Sequence, residues 1–181
     1  MASASAAALV DNYRFLAKYN RWFNQQLYAA CSRLSDEERQ RDRSAFFGSV
    51  HRSLNHLVWG DTMWLGRFAA QGSQFESLTS DLLALPDGAR YEIILSAEFS
   101  ALRSHRDRLD AAIEAWVAEM PENFPLQKMR YRTTKGVQRE HPVWQAMSHF
   151  FNHQTHHRGQ ITTLLTQQGV DVGVTDLIAL V

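Results

Sequence analysis

Apolar and polar positions follow a helical period in four long stretches of this chain. From about Ala8 to Leu34, the residues Tyr13, Leu16, Asn20, Phe23, Leu27, Ala30 and Leu34 recur at spacings of three and four. That spacing lays them on one helical face. Ser35-Asp36-Glu37-Glu38 reads as a capping residue opening a short helical turn, and Arg39 to Ala45 as polar loop. A second stripe, Phe47, Val50, Leu54, Leu57, Asp61, Trp64 and Phe68, predicts a helix from about Phe47 to Gln71, stopped by Gly72. The polar stretch Ser73 to Ala89 is a connection, with Pro86-Asp87-Gly88 as its turn. A third helix is expected from about Arg90 to Met120, with Ile94, Ala97, Ala101, Leu109, Ala112 and Trp116 facing the core and Pro121 ending it. Residues 126–140 alternate around Lys135-Gly136, which permits a small β-hairpin. The fourth helix runs from about Pro142 to Gln168, with Pro in its first turn and Gly169 as its cap. Trp144, Met147, Phe151, Ile161, Leu164 and Leu165 give it an apolar surface, and the tail Val170 to Val181 is apolar enough to dock.

Four amphipathic helices with short connections predict an all-α fold, a four-helix bundle with a possible small hairpin before the last helix. Length agrees: 181 residues make one domain, residues 1–181, that buries roughly 70% of its unfolded surface. Nine Gly and four Pro favour long uninterrupted helices over a turn-rich β fold. Nineteen basic residues cancel nineteen acidic ones, so no overall charge draws the chain to nucleic acid or to an anionic membrane. No apolar run is long enough to span a bilayer. The opening MASASAAALVDNY lacks a basic segment and reads as a frayed lead-in to a helix, not a signal peptide. Cys31 is the single cysteine, which fits a reducing compartment, and the cytoplasm is the expected location.

Histidine placement changes the picture most. Of eight histidines, four fall within nine residues: His149, His153, His156 and His157. Residues four apart share a helical face at about 6 Å, a spacing that lets two imidazoles meet one ion at about 2.0–2.1 Å each. Two such pairs exist, His149/His153 and His153/His157, and spacing does not choose between them. A third ligand must come from another helix. His56 is the best placed, mid-helix in an apolar segment with Gly60 one turn on; His51, expected to be solvated near the helix start, and His105 compete with it. Gln154 follows His153 where an H-E-x-x-H protease has its glutamate. No Glu-x-x-His pair exists, which excludes a di-iron carboxylate bundle.

The string Asn152-His153-Gln154-Thr155-His156-His157-Arg158-Gly159-Gln160 resembles the signature of the DinB-like family of four-helix bundle metalloproteins. So do Leu54-Asn55-His56-Leu57 with Asp61 and Trp64-Leu65, and Tyr19-Asn20-Arg21-Trp22. The resemblance runs from about residue 10 to Gly169-Val170-Asp171 and Thr175-Asp176-Leu177. It implies one divalent metal ion, zinc or nickel, on His56, His153 and His157, and a homodimer. It also implies a small-molecule substrate, with thiol S-transferases using low-molecular-weight thiols and hydrolase-like proteins among the relatives. The alternative is a non-catalytic metal-binding protein of stress response or sensing.

Three neutral imidazoles leave a divalent ion with an open position, the pattern of a reactive site. A water there has its pKa lowered towards about 7, and a thiol there is held as thiolate; the residues do not choose between them. Asn20 and Asp61 are polar where the period demands core, so each either fixes register across helices or supports a ligand ring from behind. Gln160, three residues beyond His157, can point at the same cavity. Arg158 reads as a solvated arginine on the outer face or a carboxylate binder, and His156 points away from His157. Cys31 reads as a small buried hydrophobe, and Trp22, Trp59, Trp64, Trp116 and Trp144 as core or interface residues.

Overall fold

The computed structural model describes residues 4–72 and 74–181. Met1 to Ser3, in the expected lead-in, and Ser73, at the head of the expected connection, lie outside the described residues. Among those described, the chain is mostly helical, with one two-stranded antiparallel hairpin before the last helix. In order come α1 (Ala4–Cys31), α2 (Asp36–Gln40), α3 (Val50–Ala69), α4 (Phe99–Glu119), β1 (Lys128–Arg132), β2 (Gln138–Pro142) and α5 (Val143–Thr166). No helix is long and apolar enough to cross a membrane among the described residues.

The long helices lie where the periodicity puts them, with ends set by local chemistry. Helix α1 begins at Ala4, earlier than expected, because the run Ala6 to Ala8 has the highest intrinsic helix propensity. Helix α2 opens on a capping box: the Ser35 hydroxyl accepts from the Glu38 amide and the Glu38 carboxylate accepts from the Ser35 amide. Helix α3 starts at Val50, three residues later than the stripe suggests, with Ser49 as its cap. Phe47 therefore belongs to a loop. In that loop Ser44 takes a left-handed conformation (φ 55°), held by its amide donating to Asp42 Oδ1 at 2.8 Å. Helix α5 closes in a Schellman turn, where the Val170 amide donates to Leu165 O and the Gly169 amide to Thr166 O, both 3.0 Å. Gly169 has φ +72°, the backbone this turn needs. Pro142 ends β2 just before α5. The hairpin pairs Met129 with His141 and Tyr131 with Arg139.

Helix α1 packs on α4 and α5, and α3 packs on the same two. Their shared core includes Leu27, Leu54, Leu57, Leu65, Phe68, Ile113, Trp116 and Phe150, all fully buried. Each side chain of this size contributes about 1.5–3 kcal/mol by leaving water. Tyr131 on the hairpin meets Trp64 on α3 at 5.3 Å, and the Arg67 guanidinium lies 4.6 Å from both rings. The tail docks as expected: the Tyr19 hydroxyl donates to Thr175 O at 2.6 Å, and Val170, Val172, Leu177 and Leu180 pack on the core.

Helix α4 departs most from expectation. It starts at Phe99, and residues 90–98 form a non-helical strap of turns and bends. Its buried face is Leu102, Arg106, Leu109, Asp110, Ile113, Trp116 and Val117; Ile94, Ala97 and Ala101 are exposed. The strap is not helical because α3 claims its backbone. The Ser96 amide donates to Asn55 Oδ1 at 3.0 Å, and the Ser96 carbonyl accepts from Asn55 Nδ2 at 3.2 Å and from His51 Nε2 at 2.9 Å. His51 is thus buried and hydrogen-bonded, not solvated.

Candidate metal centre

His56 projects from the middle of α3, and His153 and His157 from one face of α5, a turn apart. His153 Nε2 lies 3.2 Å from His56 Nε2 and 3.1 Å from His157 Nε2. Nitrogens each about 2.0–2.1 Å from one tetrahedral ion stand about 3.3 Å apart, so the spacing suits a shared metal. The three are the group among the described residues whose ligand atoms gather within 4.8 Å of one another, and it contains no carboxylate or thiol.

The other face of two rings explains why these nitrogens converge. His56 Nδ1 lies 3.0 Å from the Tyr91 carbonyl on the strap. A carbonyl only accepts, so Nδ1 carries the proton and Nε2 is left with a lone pair. His157 Nδ1 lies 2.8 Å from Gln160 Oε1, which assigns it the same tautomer. Two lone pairs therefore aim at His153 Nε2. A single proton on His153 can answer one of them, whereas a cation answers all three. The third ring is seated by an absence: a Cβ on Gly60 would stand 3.0 Å from His153 Cε1, so glycine leaves room for the imidazole on α3.

Burial keeps the rings neutral. It pulls His56 down to about 4 against the Tyr91 hydrogen bond, and pulls His153 down to about 3 with help from the neighbouring imidazoles. His157 is lowered as well, chiefly by burial. At neutral pH all three are ready to ligate without losing a proton. Phe47 stacks on His56 at 4.0 Å and meets His157 edge-on at 5.4 Å, forming an apolar wall. A cleft of about 590 Å³ shares Phe47 with the centre and includes Asp42, Ser44, Phe46, Arg52 and Glu92. Another, of about 470 Å³, shares Tyr91 and includes Arg90, Thr134 and Lys135.

The remaining histidines lie outside this group. His149 is exposed and packs on Trp64 at 5.0 Å, His156 is exposed, and His105 sits half-buried on α4. Gln160 touches the centre; Asn20 and Asp61 do not. Asp61 pairs with Arg106 and accepts from Gln154 Nε2. Asn20 Nδ2 donates to Asp110 Oδ1 at 3.1 Å, and its amide oxygen accepts from Arg158. Arg158 is 1% exposed, neither solvated nor facing a substrate, with its guanidinium 4.7 Å from the Phe23 ring. Asn24 and Asp110 complete a buried layer, with Asn24 Nδ2 2.9 Å and Arg106 Nη2 2.9 Å from Asp110 Oδ1. Burial pushes Asp110 up to about 6 against the pull of Arg106.

Sequence reading missed Phe47 as a wall, the Tyr91 carbonyl as a support, and Arg106 and Asp110 as core residues. For the last pair the signal was present: Leu102, Arg106, Leu109, Ile113 and Trp116 keep the spacing of threes and fours, and Asp110 lies four residues after Arg106 and three before Ile113. A backbone carbonyl leaves no such trace.

Comparison with known proteins finds a family for the chain. The model of the DinB family matches residues 9–180. The Protein DinB of Bacillus subtilis (strain 168) is 27% identical over 165 residues, covering 89% of this chain and 88% of that protein. No solved structure matches.

Proposed function

The chain belongs to the DinB family, and from that premise we propose that it is a single four-helix domain, residues 1–181, that binds one divalent ion, zinc or nickel, and acts on a small molecule. The ligands are His56, His153 and His157. The observation that carries this reading is the pair of committed lone pairs: two imidazoles, each donating its N–H on the far side to a fixed acceptor, face a third within 3.1–3.2 Å. With three protein ligands, a bound ion would supply Lewis acidity to a water or a thiol.

The protein's own residues do the rest. The Tyr91 carbonyl and Gln160 hold two rings in the ligating tautomer. Gly60 admits the third, and Phe47 keeps water off the outer face of His56. The two clefts that share Phe47 and Tyr91 with the centre are of small-molecule size. We favour thiol S-transfer with a low-molecular-weight thiol or hydrolysis as the reaction, in a homodimer, on the strength of the family resemblance, and the cytoplasm as its location on the strength of the single cysteine, Cys31. Asn20 and Asp61 support the site through the helices they join.

Elemental analysis of the purified protein should find about one zinc or nickel per chain, and His153→Ala should remove it. Stoichiometric absence of metal in the wild type overturns the reading. Low-molecular-weight thiols offered with electrophilic acceptors, with and without metal, then separate the reactions. Thiol-dependent turnover marks a transferase, ester or amide turnover without thiol a hydrolase, and a loaded protein inert to both a metal-binding module.

A further inference from the structure

The two ligand-bearing helices are joined by one polar contact beside the metal centre. Asp61 Oδ2 on α3 accepts from Gln154 Nε2 on α5, and both residues are 1% exposed or less. Asp61 follows Gly60, and Gln154 follows His153. The contact thus lies one residue along each helix from the place where the His153 ring rests on Gly60. Asp61 is itself fixed by Arg106 from α4, and Arg106 by Asp110 one turn on. Asp110 is held in turn by Asn20 and Asn24 of α1, and Asn20 accepts from Arg158 of α5. The chain of bonds begins and ends on α5, passing through every long helix.

An apolar contact between helices tolerates sliding, because dispersion and burial change little with small shifts. A buried, charge-assisted hydrogen bond has a direction and a length, and slipping it takes a donor from a buried carboxylate and leaves a buried amide N–H without a partner. A metal site needs its ligands held to within about 0.5 Å. His56 reaches the ion from α3 and the other two from α5, so the sliding of these helices is the motion that would spoil the site.

We propose that Asp61 and Gln154 are positioning residues for the metal centre, a clamp that sets the axial register of α5 on α3 so that His153 and His157 meet His56. The inference rests on the metal reading above. It assigns the buried layer a task beyond stability: the layer supports metal affinity without touching a ligand.

The test is metal affinity, by competition with a chromophoric chelator, and the visible spectrum of the Co(II)-loaded protein. Gln154→Met keeps the volume and removes the donor while leaving the Asp61–Arg106 pair intact. It should weaken binding about 10–100-fold, the range for loss of a ligand-orienting partner, and alter the Co(II) spectrum. The exchange Asp61→Asn with Gln154→Glu keeps one carboxylate, one amide and the bond between them, leaves Arg106 paired with Asp110 in place of both aspartates, and should restore affinity to within about threefold of wild type. Ile113→Val, a small core truncation on α4, should lower the melting temperature with affinity unchanged. If Gln154→Met does not fold, the exchanged pair alone decides: near-wild-type affinity supports the clamp and a 10-fold or greater loss opposes it. Unchanged affinity and spectrum in Gln154→Met overturn the clamp while the metal site stands. A wild type that binds no metal overturns both.

Discussion

Two clusters of polar side chains are buried among the helices, and they treat their hydrogen-bonding capacity in opposite ways. In the layer formed by Asn20, Asn24, Asp61, Arg106, Asp110, Gln154 and Arg158, charges and amides turn towards one another. In the histidine cluster, two rings spend their N–H groups outward, on Tyr91 and Gln160, and turn bare lone pairs inward. The layer carries two arginines and two aspartates, whereas the cluster carries no charge of its own at neutral pH. A buried polar cluster whose charges and amides face one another organises the fold; one whose lone pairs converge is waiting for a ligand. Count and burial do not separate the two cases, but the direction of donors and acceptors does.

Four measurements sharpen that contrast. The largest effect belongs to the charged layer. Arg106→Leu removes the ion-pair partner of both Asp61 and Asp110 and should cost about 3–5 kcal/mol of stability, read from urea unfolding. If stability held, the layer would not be the organising element described here.

Acidification pulls the two regions in opposite directions. His56 and His153 have folded pKa values near 4 and 3, below the 6.5 of the free side chain. In the metal-free protein the unfolded chain therefore takes up more protons below pH 6.5, and stability falls as pH drops through that window. Asp110 is raised from 3.8 to about 6, so between those values the folded state holds more protons and stability rises as pH drops. His153→Gln should flatten the acid-side loss in thermal melts between pH 6.5 and 4; a curve parallel to wild type would contradict the assignment.

A smaller effect is expected at Gly60, where alanine should press on the His153 ring. Metal affinity should fall about tenfold or more, while the helix gains up to about 1 kcal/mol of intrinsic propensity. Affinity and stability thus part company, which a chelator titration beside a thermal melt will register. Smallest is Gln160→Ala, which frees the His157 tautomer and should weaken metal binding about tenfold. An unchanged dissociation constant would show that the α5 backbone alone orients the ring.

Much of the histidine cluster could be read from the sequence, and little of the buried layer. Helical stripes are long and repetitive, so the long helices and the hairpin emerged from periodicity, and two of the histidines from spacing. Yet His149/His153 and His153/His157 have the same separation. Only family resemblance preferred the second pair, and in the structure His149 lies against Trp64 instead. The layer was hidden because a charge on a stripe argues against burial until its partner is known, and Arg106 finds its partner Asp61 on another helix. The strap failed for a related reason. Ile93, Ile94 and Leu95 look helical in isolation, but Asn55, His51 and His56 take the hydrogen bonds a helix there would need.

His56 is steadied by a main-chain oxygen, and that oxygen is present whatever residue occupies position 91. The support is written in the route of the chain and not in its alphabet. The hydrogen bond to His56 makes no demand on the side chain at position 91, so a change of residue there leaves this contact's acceptor in place. What selection must guard is the path. A proline at Ile93, whose amide closes a turn onto Arg90 O at 2.9 Å, would disturb the centre more than most replacements of the Tyr91 side chain.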